Sequence, residues 1–447
     1  MATGVPKTKW NGKLPKSAST ARAYRLAVEY EGKAAEEEIL APAPAILNEI
    51  SAKTSKENST KRLYYGDNLP ILAALLQDKK IKGKVTLIYI DPPYGTNSVF
   101  HSRAQEDAYS DLLVGSSYAE FLRRRLVLMR ELLSEDGSIY VHLDGNILFV
   151  VKLLMDEIFG EQNFRNLITR KKCNPKNYTR KTYGNVSDYL LFYAKSDGYV
   201  WNRAMAAWDE EKIKKEYNYV DPKTGRRYKK VPLHAPGIRN GETGKPWREK
   251  LPPPGKHWQY PPAALDEMDK RGEIYWSPNN NPRRKVYFDA NGGIPIQDIW
   301  LDYKDAHNQN IHITGYPTEK NLELLKLIIE ASSNAGDVVL DCFAGSGTTL
   351  VAADMLKRNW IGIDNSPHAI KTIVERFQVG TKPMGDYVTA KTAQKQADQV
   401  ELSLFNNAAE KNGRLTKFGS THAESINDYT LLVTKELQDE LSCNLSI

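Results

Sequence analysis

Val85-Thr86-Leu87-Ile88-Tyr89-Ile90-Asp91-Pro92-Pro93-Tyr94 sets six strand-forming residues directly before an acid, two prolines and an aromatic. A continuous apolar run of this length reads as a strand buried on both faces of a sheet. The prolines fix φ and stiffen the corner that follows. The Asp91 carboxylate and the Pro92 carbonyl are therefore expected to face one point beneath the Tyr94 ring, with Pro93 completing the bend. Two acceptors at one point suit an exocyclic amino group such as that of adenine, whose lone pair is conjugated into the ring and is a poor nucleophile. Holding both N–H bonds draws the nitrogen toward tetrahedral geometry and aims its lone pair at an electrophile. No covalent intermediate is needed. Tyr94 would stack on the base, which must first leave its duplex. A turn with an aromatic cap is the other reading of the tetrapeptide taken alone.

A second motif lies some 250 residues away. Asp337-Val338-Val339-Leu340 reads as a short strand running into Asp341-Cys342-Phe343-Ala344-Gly345-Ser346-Gly347-Thr348-Thr349, and then into the helical Leu350 to Leu356. Strand, glycine turn and helix is how doubly wound α/β folds bring bare backbone up to a nucleotide-like cofactor. The third glycine of a dinucleotide fingerprint is absent, which disfavours a pyrophosphate-bearing ligand. Trp360-Ile361-Gly362-Ile363-Asp364 follows as a strand ending in an acid placed for ribose hydroxyls. The combination points to an adenosyl ligand. Ligands of such sheets bind beyond the carboxyl ends of the strands, so the strand ending at Asp341 is expected beside the one ending at Asp91.

Together these residues resemble the S-adenosylmethionine-dependent DNA methyltransferases that methylate exocyclic amines. With DPPY early and FxGxG late, the order resembles the beta group of adenine-N6 enzymes, including the modification subunits of type III restriction systems. Leu63 to Leu69, Arg125 to Leu133, Asp136 to Asp144 and Asp188 to Lys195 are similar to further segments of that family. Tyr316-Pro317-Thr318-Glu319-Lys320 is similar to its HPTQKP segment, departing at Tyr316, Glu319 and Asn321. The resemblance covers roughly residues 60 to 380. It implies an α/β, doubly wound, Rossmann-like methyltransferase sheet with circularly permuted motif order and an inserted target-recognition domain. It implies S-adenosylmethionine as cofactor, with Asp67, Asn68, Thr318, Lys320, Asp341, Phe343, Gly345, Gly347, Thr348 and Asp364 bordering it. Asp91, Pro92, Pro93 and Tyr94 become the catalytic corner. Cytosine-N4 methylation uses the same device, and an RNA-directed or glutamine-directed methyltransferase or a DNA-binding module with a vestigial cofactor fold are the other readings.

Composition sets the frame. The 447 residues allow a large core with additions, and 62 Lys and Arg against 55 Asp and Glu give a net charge of +7. Mean hydropathy is −0.54, and no apolar run reaches membrane-spanning length, so a soluble, non-exported protein is expected, and the resemblance implies a cytoplasmic, prokaryotic or phage protein associated with the nucleoid. Cys173, Cys342 and Cys443 are too scattered for a disulfide framework or a metal site. Between Arg165 and Tyr260 about 22 basic residues face about 9 acidic ones, the composition of a phosphate-binding surface. Arg226, Arg227, Lys229, Lys230, Arg239 and Arg248 are the candidate contacts to double-stranded DNA. A homodimer and a separate restriction subunit are the further partners considered.

The organisation expected along the chain is an N-terminal extension over 1–58, a first core half over 59–196, a recognition insert over 197–310, a second core half over 311–385 and a C-terminal extension over 386–447. Helices are expected over Ala18 to Ala41 and Asp428 to Leu441.

Overall fold

The computed structural model describes residues 27–52, 61–93, 98–101, 107–111, 115–175, 181–289, 292–305, 312–314, 316, 319–383 and 426–438. Tyr94 and Thr318 lie outside the described residues, as do residues 18–26 of the expected first helix and 439–441 of the expected last one. The chain forms two compact units, one made of the segments up to Asn202 and from Gln297 onward, the other of Arg203–Ile296. The second unit falls inside the expected 197–310 insert and is narrower, because the strand Ile299–Trp300 already pairs with Thr169 and Arg170 of the main sheet.

Ten strands make that sheet: β1 (Leu47–Ala52), β2 (Arg62–Tyr65), β3 (Val85–Ile90), β4 (Leu133–Leu143), β5 (Phe164–Lys171), β6 (Ser187–Ala194), β7 (Ile299–Trp300), β8 (Val338–Asp341), β9 (Asn359–Asp364) and β10 (Thr430–Thr434). Their spatial order is β1-β10-β2-β9-β8-β3-β4-β6-β5-β7. From β10 to β4 every neighbouring pair is parallel, while β1 and β6 run against their neighbours. All six residues of β3 are buried, as an apolar run in the middle of a parallel sheet must be. The expected adjacency holds: Val338, Val339 and Leu340 of β8 pair with Val85, Leu87 and Ile88 of β3. Asp341 and Asp91 therefore sit at the same end of neighbouring strands.

Helices start where the side chains can cap them. Asp67 accepts the Leu69 amide at 2.9 Å and opens Asn68–Gln77. Asn321 does the same for Leu322–Ser332 through Glu323. Ser366 caps Pro367–Val379, whose first residue is a proline, each following the chemistry of unsatisfied N-terminal amides.

Both extensions differ from expectation. Residues 27–35 are not helical, and only Glu36–Leu40 forms a short helix. Thr430–Thr434, expected as part of a helix, is a strand beside β2 with Leu431 and Val433 buried. Leu431 and Val433 alternate with less buried neighbours, and the free edge of β2 supplies the hydrogen bonds that a lone segment lacks.

The Arg203–Ile296 unit is built on a four-stranded antiparallel sheet in the order Tyr219–Val220, Arg227–Pro232, Pro282–Tyr287, Ile274–Trp276. Leu233, Trp247, Trp258, Leu265, Met268 and Ile274 form its core.

Candidate active site

A cavity of about 500 Å³ opens at the carboxyl ends of β3 and β8. Asp91, Pro92 and Pro93 line it on one side and Asp341 to Ser346, Thr348 and Thr349 on the other, with Asp67, Asn68, Lys320 and Asp364 completing the wall. The structure thus brings eleven of the expected residues to one space. Gly347 does not line it. It caps the following helix at φ +72°, where a Cβ would meet Ile373 at 2.9 Å. Gly345 sits at φ +50° against the Tyr316 ring. Both positions exclude larger residues, so the glycines shape the turn rather than touch a ligand with side chains.

Each acid has its own partners. Asp364 accepts the Gly345 amide at 2.8 Å through Oδ2 and the Ser366 amide at 2.9 Å through Oδ1. It ties the glycine turn to the next helix while facing the cavity, and each oxygen retains acceptor capacity. Burial raises its carboxyl above the ordinary value. Asp341, 2 % exposed, accepts the Phe343 amide at 3.0 Å. Burial pushes its carboxyl up to about 7, with Asp91 and Asp364 adding to the rise and hydrogen bonds from Thr349 and Phe343 opposing it. Lys320, expected from the resemblance to border the cofactor, pairs across the cavity with Asp91, Nζ to Oδ2 at 2.6 Å.

Several cavity residues were not singled out from sequence. Arg125, 5 % exposed, donates to Asp67 at 2.8 Å, to the Phe121 carbonyl at 2.9 Å and to Asn68 Oδ1. Asn68 passes the connection to the Cys342 carbonyl at 2.7 Å, so Arg125 joins the helix Gly115–Leu132 to the glycine turn. Its guanidinium lies 3.6 Å from the Phe121 ring centroid. An arginine on the apolar face of a helix was the available signal. The departures from the HPTQKP pattern also have partners: Tyr316 stacks on His368, centroids 5.5 Å apart. Glu319 accepts from Thr314 and pairs with buried Arg376 at 3.3 Å, and Arg376 reaches the Thr348 hydroxyl at 2.8 Å.

The candidate DNA contacts separate by face. Directly opposed residues of an antiparallel pair share a face, which puts Tyr219, Tyr228, Tyr287, Lys230, Lys285, Arg283 and Tyr275 together. The Lys230 ammonium lies 3.6 Å and 3.5 Å from the Tyr219 and Tyr275 ring centroids, and Arg226 lies over Tyr287 at 4.7 Å. Arg227 and Lys229 occupy the alternate positions of the strand Arg227–Pro232 and so lie on the other face, Lys229 paired with Glu216 at 3.0 Å. Arg248 is held by Asp266 and Asp269 at 3.2 and 2.6 Å, and Arg239 is exposed.

The model of a family described as DNA methylases acting at N6 or N4 matches residues 85–375. The chain belongs to that family: it is a DNA methyltransferase. A type II methyltransferase of Enterobacter cloacae, M.EcaI, is 45 % identical over 425 residues, covering 94 % of this chain and 89 % of that protein. The StyLTI Mod subunit of a Salmonella typhimurium type III restriction-modification enzyme is 29 % identical over 351 residues, and the chain spans 51 % of its length. The solved M1.HpyAVI complex with S-adenosylmethionine is 18 % identical, covers 71 % of this chain and 99 % of that one, and has a TM-score of 0.39. S-adenosylmethionine is the methyl donor of the family, and the donor set fits it. Asp67, Asp91, Asp341 and Asp364 face two cations, Lys320 and Arg125, leaving an acidic cavity for a ligand with net positive charge. Among the described residues no helix is long and apolar enough to cross a membrane.

Proposed function

We propose that the chain methylates the exocyclic N6 of an adenine turned out of double-stranded DNA, at a defined site. The observation that carries this reading is the shared cavity: the Asp91–Pro92–Pro93 corner and the Asp341–Thr349 turn wall one space because β3 and β8 are hydrogen-bonded neighbours. The cofactor supplies an electrophilic methyl on sulfonium. Asp91 and the Pro92 carbonyl would accept the two amine hydrogens, hold the nitrogen in line and stabilise the positive charge that develops on it. Asp67, Asn68 and Asp364 would hold the cofactor, and Phe343 and the turn backbone would border its methionine part. Adenine is favoured over cytosine by the carboxylate at position 91, where N4 enzymes of the resembled family more often carry serine. Long-read sequencing of DNA from cells expressing the chain gives modified base and sequence motif together. N6-methyladenine supports the reading, and N4-methylcytosine replaces it.

Asp341 makes cofactor binding depend on pH. Its carboxyl is near 3.8 when unfolded and about 7 when folded, so the folded chain holds the proton across that interval. Stability of the ligand-free protein is then expected to fall as pH rises from about 4 toward 7, and affinity for the cationic cofactor to rise roughly tenfold between pH 6 and 8 as Asp341 ionises. Asp341→Asn should flatten both curves in denaturant melts and calorimetric titrations. An unchanged slope in the variant would remove Asp341 from the account.

The tyrosine-lined face of the Arg203–Ile296 sheet is the part we assign to the DNA backbone. Lys230, Arg226 and Arg283 have no carboxylate within ion-pair distance among the described residues, and the rings hold two of them in place, which lowers the entropy lost on binding. Lys230→Gln with Arg226→Gln should lessen the slope of log affinity against log salt by roughly 2 and leave the methylated motif unchanged. Arg248→Gln, already neutralised by two aspartates, should alter neither.

The work of the enzyme would be on cytoplasmic DNA at the nucleoid. A restriction nuclease as a separate protein follows the type II and type III relatives, and a homodimer is the assembly to test by sedimentation.

A further inference from the structure

The Lys320–Asp91 pair poses a chemical problem for the amine reading above, on which this inference rests. Methyl transfer leaves positive charge on the base nitrogen, and an ammonium 2.6 Å from the carboxylate that should stabilise it opposes the reaction. A second carboxylate is linked to the cavity wall through two side chains. Tyr89, in the cavity wall, hydrogen-bonds His142 Nδ1 at 2.8 Å. His142, fully buried, meets Asp188 Oδ2 through Nε2 at 2.9 Å, and Arg170 meets the same oxygen at 2.8 Å. Asp188 Oδ1 is buried with no hydrogen-bond partner among the described residues. Buried carboxylate oxygens are rarely left so, and one beside a reaction cavity calls for an explanation.

The backbone brings Lys320 to this group. Arg170 also donates to the Tyr303 carbonyl at 2.6 Å and to the Asp305 carboxylate. Asn321, next to Lys320, donates to the Lys304 carbonyl between them at 3.0 Å. Burial drives the Asp188 carboxyl up, but His142, Arg170 and Lys320 more than reverse this and keep it ionised well below the usual range. The charge of Lys320 thus favours the ionised form of Asp188 even while it is bonded to Asp91, and a four-carbon stem gives an ammonium freedom to change partners.

We propose that Lys320 is a positioning residue that changes carboxylates as the target base enters, neutralising Asp91 while the base pocket is empty and passing to Asp188 Oδ1 when the amine takes its place. The exchange satisfies the orphaned oxygen, removes a repulsive charge from the reacting nitrogen, and makes no or breaks no covalent bond. Tyr89, His142 and Arg170 hold Asp188 ready to receive it.

A double-mutant cycle on the full chain tests this. Asp188→Asn is expected to lower kcat roughly tenfold, with calorimetric affinity for S-adenosylmethionine and KM for a duplex bearing the mapped site both within twofold of wild type. In a Lys320→Met background the same substitution should change kcat less than twofold, because no ammonium remains to be received. An equal loss in both backgrounds, or a parallel loss of cofactor affinity, would overturn the exchange and leave Asp188 a structural acid. A crystal structure of the wild-type chain with sinefungin and that duplex guards against a variant that does not fold. Lys320 Nζ on Asp188 with the amine on Asp91 supports the proposal, and Lys320 still on Asp91 with the base in place ends it. Failure of the amine reading itself shows separately, as methyl transfer that survives loss of Asp91.

Discussion

Asp91→Ala is expected to lower methyl transfer by about 10³-fold or more, while cofactor affinity changes only a few-fold. The carboxylate is one of the two acceptors available to the amine at the β3 corner, and the Pro92 carbonyl alone cannot hold both N–H bonds. Asp91 also pairs with Lys320, so the alanine variant removes that cation's carboxylate partner as well as the amine's acceptor. Asp91→Asn separates the two contributions: it retains an acceptor oxygen and removes the charge, and should fall between alanine and wild type. Single-turnover transfer of a tritiated methyl, measured beside a calorimetric titration of the cofactor, reads both quantities. Near-normal transfer by the alanine variant would remove the DPPY corner from the mechanism.

The second large effect is expected at Arg125. Its guanidinium is almost wholly buried and bonds Asp67, Asn68 and the Phe121 carbonyl, while Asn68 holds the Cys342 carbonyl of the glycine turn. Arg125→Leu fills the same volume, but strands the Asn68 oxygen and leaves Asp67 without its counter-charge in the cavity wall. Leaving the buried Asn68 oxygen unpaired costs about 1–3 kcal/mol, the largely exposed Asp67 carboxylate adding little, and affinity for S-adenosylmethionine should fall roughly 10- to 100-fold as Asp67 and Asn68 lose their positions. Arg125→Lys restores charge without the fork and should recover little of either. Urea denaturation and calorimetry check the two parts. A stable variant with unaltered affinity would show that the helix Gly115–Leu132 does not set the cofactor wall.

The contrast between these two residues marks how far the sequence could be read. Asp91 was legible because local chemistry names it: a strand, an acid and two prolines are consecutive, and the rule that ligands gather at the carboxyl ends of neighbouring parallel strands pairs it with Asp341. The adjacency of β3 and β8 then followed from topology alone. Arg125 was visible only as part of a helix, because its partners Asp67 and Asn68 come from a turn far earlier in the chain, and Asn68 in turn holds the Cys342 carbonyl of the distant glycine turn. The same holds for Tyr89, His142, Asp188 and Arg170, which lie on four different strands and meet only across the folded sheet. The segment Thr430–Thr434 was misread for a related reason. Its own residues permit either helix or strand, and the decision rests with the unsatisfied edge of β2. Lys320 was placed correctly in the cavity, and its partner there is Asp91, because a long flexible cation settles on the nearest unshielded carboxylate.

The position of that late strand bears on the order in which the protein matures. Because β10 lies between β1 and β2, the earliest-made strand of the sheet has no neighbour to dock on until the ribosome has passed residue 434. Until then β1 has no partner strand, and the edge that carries Asp67 and the start of its helix stays uncovered with it. A nascent chain would therefore gain a covered edge on this side of the cavity only once Thr434 has been made, long after the Asp91 corner has emerged.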